Sequence, residues 1–458
     1  MPPTAAGVVY YALTVWYRCR AVHKEVRWRS QLHSQTHIAR KWYRLDNAAN
    51  VYPAIRSLQR PGLFRVSATL KEPVQPKLLQ QALNATLKRI PSFSVKMRSG
   101  LFWHYFSHSD DTIHIQEDVV NPCMSLSSKR DSGFQIRVRY HDRRIALEVF
   151  HSVSDGSGAM VFLKTLLAQY LALRGISIPA THGVLDCGES PRLGEAADDF
   201  SAFAGGSTTR SRRERRAYHV SGTKLPHHDI EIITGTLPVE AVKAESKRHG
   251  VSITEYLTGA YLYILNGIQK TEHRHHPLPV KIQVPVSLRR FHTTETLRNF
   301  SSYVCPGIDP THGDYTFEEI LSSVHHFMRY EVTDKHLRSR VAANIQTERN
   351  LLVRMMPLFI KDRVINLGYK LSGPAIFTSV LTNLGVIKVP PEMAQHVETF
   401  DFNLGPSQET NVNCAVLGYD GKLRINFARV IEEPTVEHAF FTFLVRQGIP
   451  VKVESNKE

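Results

Sequence analysis

Two periodicities take turns along the chain. In 63–71 (LFRVSATLK) apolar and polar positions alternate, which predicts a strand. In 75–93 (QPKLLQQALNATLKRIPSF) Leu78, Leu79, Ala82, Leu83 and Leu87 recur at helical spacing. The stretch 134–151 (FQIRVRYHDRRIALEVFH) is two alternating runs around a polar turn, a predicted hairpin. It leads into 156–175, where Met160, Leu163, Leu167 and Leu171 share a helical face and Gly175 supplies a stop.

The same style resumes after a shift in composition at 187–224, where Gly205-Gly206, Ser/Thr pairs and the charge run RSRRERR (210–216) occur. Such a segment reads as a solvated linker between halves. Beyond it the pattern predicts a strand at 229–237, helices at 238–250 and 252–270, and a strand at 280–288. Helices follow at 317–330 and 336–360, then strands at 375–385 and 397–405. A hairpin is expected over 411–430, turning at Asp420-Gly421, and a last helix at 434–446. Strands and helices mix throughout, with antiparallel hairpins, so the class is α/β or α+β in two related halves. The expected organisation is an extension 1–38, a first half 39–186, a linker 187–224 and a second half 225–458. No repeat of fixed period is present.

Composition narrows the function classes. A chain of 458 residues with 42% hydrophobic and 22% charged residues can build a substantial core. The five cysteines, at 19, 123, 187, 305 and 414, are odd in number, spread out and without a CxxC pair. That argues against a disulfide framework or zinc ribbon and suits a reducing cytosol, so a cytoplasmic location is expected. The formal charge of +15 would attract an anionic partner, but no zinc-finger spacing, basic zipper or aromatic-basic RNA motif accompanies it, so nucleic acid is not expected. The apolar run 7–17 (GVVYYALTVWY) is about half the ~20 residues a bilayer span needs, and basic residues follow it rather than precede it. Neither a signal peptide nor integral membrane association is expected. A docking or interfacial segment and a loosely ordered extension both fit. The histidine groups at 226–229 and 272–276 sit in polar loops without carboxylate patterning, so no metal is expected there.

The chemistry-bearing stretch is 149–162, VFHSVSDGSGAMVF, at the joint between the hairpin and the helix. A histidine can take a proton from a hydroxyl, amine or thiol near neutral pH. Asp155 can cap the helix or hold the loop through a buried arginine, and Gly156 permits a tight or left-handed turn. In this context His151, Asp155 and Gly156 resemble the H-x-x-x-D-G motif of the CoA-dependent acyltransferase superfamily, which spans chloramphenicol acetyltransferase, plant and alcohol acyltransferases, polyketide-associated acyltransferases and peptide-synthetase condensation domains. WYRLDNAANVYP (42–53), GLFWHYF (100–106), VPVSLRRFHTTETLRNFSSYV (284–304) and TNLGVIKVP (382–390) resemble segments of bacterial alcohol acetyltransferase-like proteins. The resemblance covers about 40–450.

The resemblance implies two chloramphenicol-acetyltransferase-like mixed-sheet halves facing each other across a central tunnel. It implies acyl transfer from a thioester, acyl-CoA or acyl carrier protein, to an alcohol or amine, without metal or bound cofactor. His151 would be the general base. Asp155 would be structural and paired to an arginine, for which Arg289 is the candidate. Thr382 and Asn383, with Ser379 behind them, are candidates for the oxyanion or acceptor contact. Condensation domains carry a second histidine before the motif, where this chain has Phe150. A condensation-like or carrier-binding protein of peptide or polyketide pathways is therefore the alternative. DFNLG (401–405) only partly echoes a plant motif and is assigned no catalytic role.

Overall fold

The computed structural model describes residues 42–127, 130–205, 215–226, 229–272, 277–372, 376–407 and 410–457. The expected extension 1–38 and most of the histidine and charge runs lie outside these residues. Arg215, at the end of the charge run, is ion-paired with Asp309.

The hairpin forms as its pattern requires: strands Ile136–His141 and Arg144–Phe150 pair antiparallel. Asp142 turns the chain with φ of 45°. Strand Leu63–Leu70 joins on the other side of Arg144–Phe150. Two helices cover this sheet, Pro76–Arg89 and Gly156–Leu173, and their Leu79, Leu83, Leu163, Leu166 and Leu167 enter one apolar core with Val66, Val138 and Leu147. Among the described residues, Gly156–Leu173 alone is long and apolar enough to cross a bilayer, and 67% of it is buried within the protein. Its apolarity is that of a core helix surrounded on most sides. It ends at Gly175, with φ of 85°.

The second sheet has the order 301–304, 280–287, 379–386, 412–419, 422–429, 231–238, 452–455, with 307–308 also beside 280–287. It is mixed: Ser379–Val386 runs parallel to both its neighbours, and the hairpin Val412–Tyr419/Lys422–Arg429 is antiparallel. Asp420 and Gly421, both at positive φ, make its turn. Alternation splits its residues between two environments. Leu381, Cys414 and Val416 enter the core with Tyr261, Leu265 and Phe440, whereas Ala415, Leu417 and Tyr419 enter the core of the first sheet. The central strands thus carry one apolar face for each half.

Two expectations are corrected. The segment 397–405 is a strand, but Val397–Leu404 pairs antiparallel with Leu63–Leu70, so it belongs to the first sheet. Pattern reveals a strand but not its partner when the pairing spans more than 300 residues. The expected helix 336–360 is broken. Asp334–Arg349 ends at Asn350, whose side chain accepts from Leu352 N and caps Leu351–Met355. Pro357 then separates that piece from Leu358–Ser372. Strands at 42–44, 95–99 and 104–108 form a small third sheet that the pattern did not announce.

The transplanted strand is bolted to the second sheet. Arg424 donates through Nε to Asp401 Oδ1 at 2.6 Å, and Asn426 Nδ2 donates to the Phe402 carbonyl at 3.0 Å. Burial raises the Asp401 carboxyl above its ordinary pKa, with Arg424 opposing the shift. Arg424→Ala leaves that carboxylate without its cation. We expect the melting temperature to fall by several degrees, from a loss of about 2 kcal/mol for a partly buried pair. Calorimetry checks this, and an unchanged melting temperature would show the bolt to be idle.

Candidate active site

His151 follows the last residue of the strand Arg144–Phe150 and lies within a tight turn before the helix Gly156–Leu173. Its backbone N–H donates to Gly62 O at 2.8 Å, so the neighbouring strand fixes where the turn begins. The imidazole is half-buried. It stacks on Tyr52, with centroids 4.7 Å apart and planes 11° from parallel, and meets the edge of Phe64 at 5.1 Å. These two rings fix the imidazole plane.

Its Nδ1 lies 3.1 Å from Asn299 Oδ1. The amide of Asn299 is itself oriented, because Nδ2 donates to Asp46 Oδ2 at 3.3 Å. With an acceptor facing it, Nδ1 carries the hydrogen of the neutral ring, and Nε2 keeps its lone pair. Burial lowers the imidazole pKa below its ordinary value, and its backbone contact, the Asp155 charge and the Asn299 bond do not reverse this. The neutral form therefore prevails at pH 7. Asp46 is fully buried, accepts from Ala49 N at 2.8 Å and lies 3.5 Å from Arg298. Burial pushes its carboxyl up to about 7 against the pull of Arg298.

Asp155 performs both tasks that the sequence posed as alternatives. Its Oδ1 accepts from Ser157 N at 3.1 Å and Gly158 N at 3.0 Å, capping the helix. Its Oδ2 accepts from Arg289 Nη1 at 2.6 Å and Phe300 N at 3.0 Å. Arg289 also donates to the carbonyls of Thr296 at 3.1 Å and Arg298 at 2.7 Å. One carboxylate thus ties the histidine turn to the loop that carries Asn299. Ser154 adds a second tie, Oγ to Leu297 O at 2.5 Å.

The glycines work differently from expectation. Gly156 has no positive φ; it begins the helix, and a Cβ there would come 2.7 Å from Leu384 Cδ2. The stricter position is Gly158, where a Cβ would sit 2.0 Å from Leu297 O. At Gly158 the close approach of a backbone carbonyl, not a left-handed turn, demands glycine, whereas at Gly156 the neighbours are the movable ends of the Leu384 and Phe402 side chains.

Leu384 brings the third group of candidates to the helix start. Thr382 lies two residues earlier on the same face of its strand, is buried and pairs in register with Ala415, which faces the first half. Ser379 is committed elsewhere: its hydroxyl donates to Val412 O at 2.6 Å and meets Tyr261 OH at 2.8 Å inside the second core. The Asn383 amide donates to Thr254 Oγ1 at 3.0 Å and accepts from Gly385 N at 2.8 Å, serving the local turn. Of the three, Thr382 has the geometry that faces the seam between halves.

Sequence reasoning did not assign roles to Asn299, Asp46 or Tyr52. All three lie within stretches that carried the resemblance, RNF at 298–300 and LDNAANVY at 45–52, and that membership was the one available signal.

No protein-family model matches the chain, and no curated protein matches it in sequence. Solved structures do match. TRI101 of F. graminearum, complexed with coenzyme A and T-2 mycotoxin, superposes with a TM-score of 0.60 at 10% identity, covering 87% of this chain and 96% of that one. TRI3 trichothecene 15-O-acetyltransferase of Fusarium sporotrichioides gives 0.56 at 10% identity over 90% and 96%. The first condensation domain of the CDA synthetase gives 0.55 at 15% identity over 88% and 94%. The chain has the two-lobed fold of these structures, an acetyltransferase and a condensation domain among them.

Two substitutions separate fold from site. Asp155→Asn keeps an Oδ1 for the cap but points an amide N–H at Arg289 and Phe300 N. We expect a loss of about 3 kcal/mol, the lower end for a broken buried pair because Arg289 is partly exposed, seen as a lower denaturation midpoint. Equal stability would show that the Oδ2 contacts contribute nothing. Gly158→Ala is expected to destabilise at least as much through backbone displacement at Leu297, and a native melting curve would refute that close approach.

Proposed function

We propose that this chain is an acyltransferase that moves an acyl group from a thioester, acyl-CoA or an acyl carrier protein, to an alcohol or amine. The observation that carries the reading is His151: a half-buried neutral imidazole with Nδ1 engaged by Asn299, leaving Nε2 as a base, at the seam of an acyltransferase fold. TRI101, a structural neighbour, was solved with coenzyme A.

In this reading Nε2 takes the proton of the acceptor hydroxyl or amine as its oxygen or nitrogen attacks the thioester carbonyl. A tetrahedral oxyanion forms, and Thr382, buried on the strand face turned toward the first half, is our candidate to donate to it. Collapse breaks the C–S bond, and the proton on Nε2 passes to the leaving thiolate. The products are an ester or amide and a free thiol. No step passes through a covalent enzyme intermediate. Asn299 and Asp46 act as positioning residues that hold the Nδ1–H tautomer. Asp155 and Arg289 hold the turn. The chemistry uses no metal.

A condensation reaction on carrier-bound peptides is the second reading. Phe150 argues against it: it is fully buried, packed with Leu63 and Cys123 and under the Arg56 guanidinium, where a second histidine would face no solvent. The halves we assign are 39–186 and 225–458 joined by 187–224, with Val397–Leu404 lent from the second to the first. A CoA thioester donor and the absence of cysteine pairing motifs support a cytoplasmic setting.

Thiol release from short and long acyl-CoAs, measured against a panel of alcohols and amines, tests the reading. His151→Ala is expected to lower kcat by about two to four orders of magnitude with the fold intact. Near-native thiol release from that variant would remove the catalytic assignment.

The pH dependence follows from two groups. Protonating His151 removes the base, and its lowered pKa puts that loss below pH 6.5. Asp46, at about 7, becomes neutral as pH falls through that value and loosens its hold on Asn299. We therefore expect kcat/KM to decline as pH drops below about 7. In Asp46→Asn the decline should move to lower pH, set by His151 alone. An unmoved limb would show that Asp46 does not act on the base.

A further inference from the structure

The most exposed apolar surface among the described residues lies on the two helices after Asn350. Leu351, Leu352 and Met355 project from the short helix Leu351–Met355, and Phe359, Val364 and Leu367 from Leu358–Ser372. Leu352 is 79% exposed and Phe359 63%. Packing accounts for the opposite side of the longer helix, where Leu358 and Lys361 are buried and Lys361 Nζ donates to Phe102 O at 2.8 Å. A cluster of exposed apolar side chains of this size marks a contact surface.

Charge selects the partner. Residues 349–374 contain five basic residues and a single acid, Asp362. That acid is engaged inward, 3.1 Å from His104 Nε2. Arg354 and Arg363 are exposed on the same helices. Apolar side chains flanked by arginines, with the one acid turned away, are complementary to an anionic bilayer surface. The whole chain carries +15, which adds long-range attraction of the same sign.

Position ties this face to the base. Leu358–Ser372 packs against the helix Val51–Ile55, and Asn366 Nδ2 donates to Ala54 O at 3.0 Å. That short helix carries Tyr52, which stacks on His151. The face is one helix away from the imidazole. We propose that residues 351–367 seat the protein on an anionic lipid bilayer, from which a lipophilic acceptor is drawn toward His151. The seating stands on its own; the acceptor class rests on the acyltransferase reading.

Co-sedimentation of the full chain with phosphatidylcholine vesicles, with and without phosphatidylglycerol, tests the seating. Binding is expected on the anionic vesicles, weakened by salt, with little on phosphatidylcholine alone. The combined Leu352→Asp, Phe359→Asp and Leu367→Asp variant should bind at least tenfold more weakly while keeping the native melting temperature and native thiol release with a short, water-soluble alcohol. With a long-chain alcohol presented in vesicles, its thiol release should fall. Failure of the native chain to bind anionic vesicles overturns the proposal, as does equal binding by the variant. A native dimer that the variant turns into a monomer also overturns it, because a second copy then covers the face. Vesicle binding without thiol release from any acyl-CoA would leave the seating in place and reject the acyltransferase reading.

Discussion

Everything around His151 depends on the Asp155 carboxylate, which makes four hydrogen bonds to two different parts of the chain. One oxygen closes the N-terminus of the helix Gly156–Leu173, where a negative charge also complements the helix dipole. The other binds a guanidinium and a backbone N–H from the loop after strand Val280–Ser287. Removing a carboxylate from water is costly, and only full coordination of this kind offsets it. The arrangement makes the position of the histidine turn and the position of the 288–300 loop a single variable. Asn299, on that loop, then meets the imidazole at a fixed distance.

Two other devices serve the same registration between halves. The strand Val397–Leu404 leaves the second half to complete the first sheet, and Arg424 and Asn426 hold it from behind. The central strands of the second sheet supply apolar residues to both cores. The two lobes therefore cannot shift past one another without breaking sheet pairing, core packing and the carboxylate clamp together. An imidazole that takes a partner from each lobe gains a rigid frame from this. On the outer side the frame relaxes: the helix from Leu358 buries Leu358 and Lys361 but leaves Phe359, Val364 and Leu367 exposed.

Local pattern made most of the elements legible. The hairpin before His151, the helix after it, and the Asp420-Gly421 turn could be read because their determinants lie within a few residues. The motif could be read too, because His151, Asp155 and the helix start are contiguous. Sequence was blind where the deciding contact was distant. Nothing local marks 397–404 as a strand of the other half. Nothing in LDNAAN shows that Asp46 orients an amide 253 residues away. Ser379, the weaker candidate beside Thr382 and Asn383, could not be dismissed from sequence, because the groups that occupy its hydroxyl, Tyr261 and Val412 O, lie far away in the chain. Gly158 was overlooked since its constraint comes from the Leu297 carbonyl, not from its own backbone angles.

The central claim is that the neutral imidazole of His151 is held with its proton on Nδ1 and its lone pair on Nε2. Nitrogen-15 NMR of histidine-labelled protein, with His151 assigned by its loss in His151→Gln, reads both ring nitrogens directly. The account predicts a protonated Nδ1 and an unprotonated Nε2 at pH 7, titrating below the ordinary histidine value. An Nε2–H tautomer, or an imidazolium at pH 7, would contradict it.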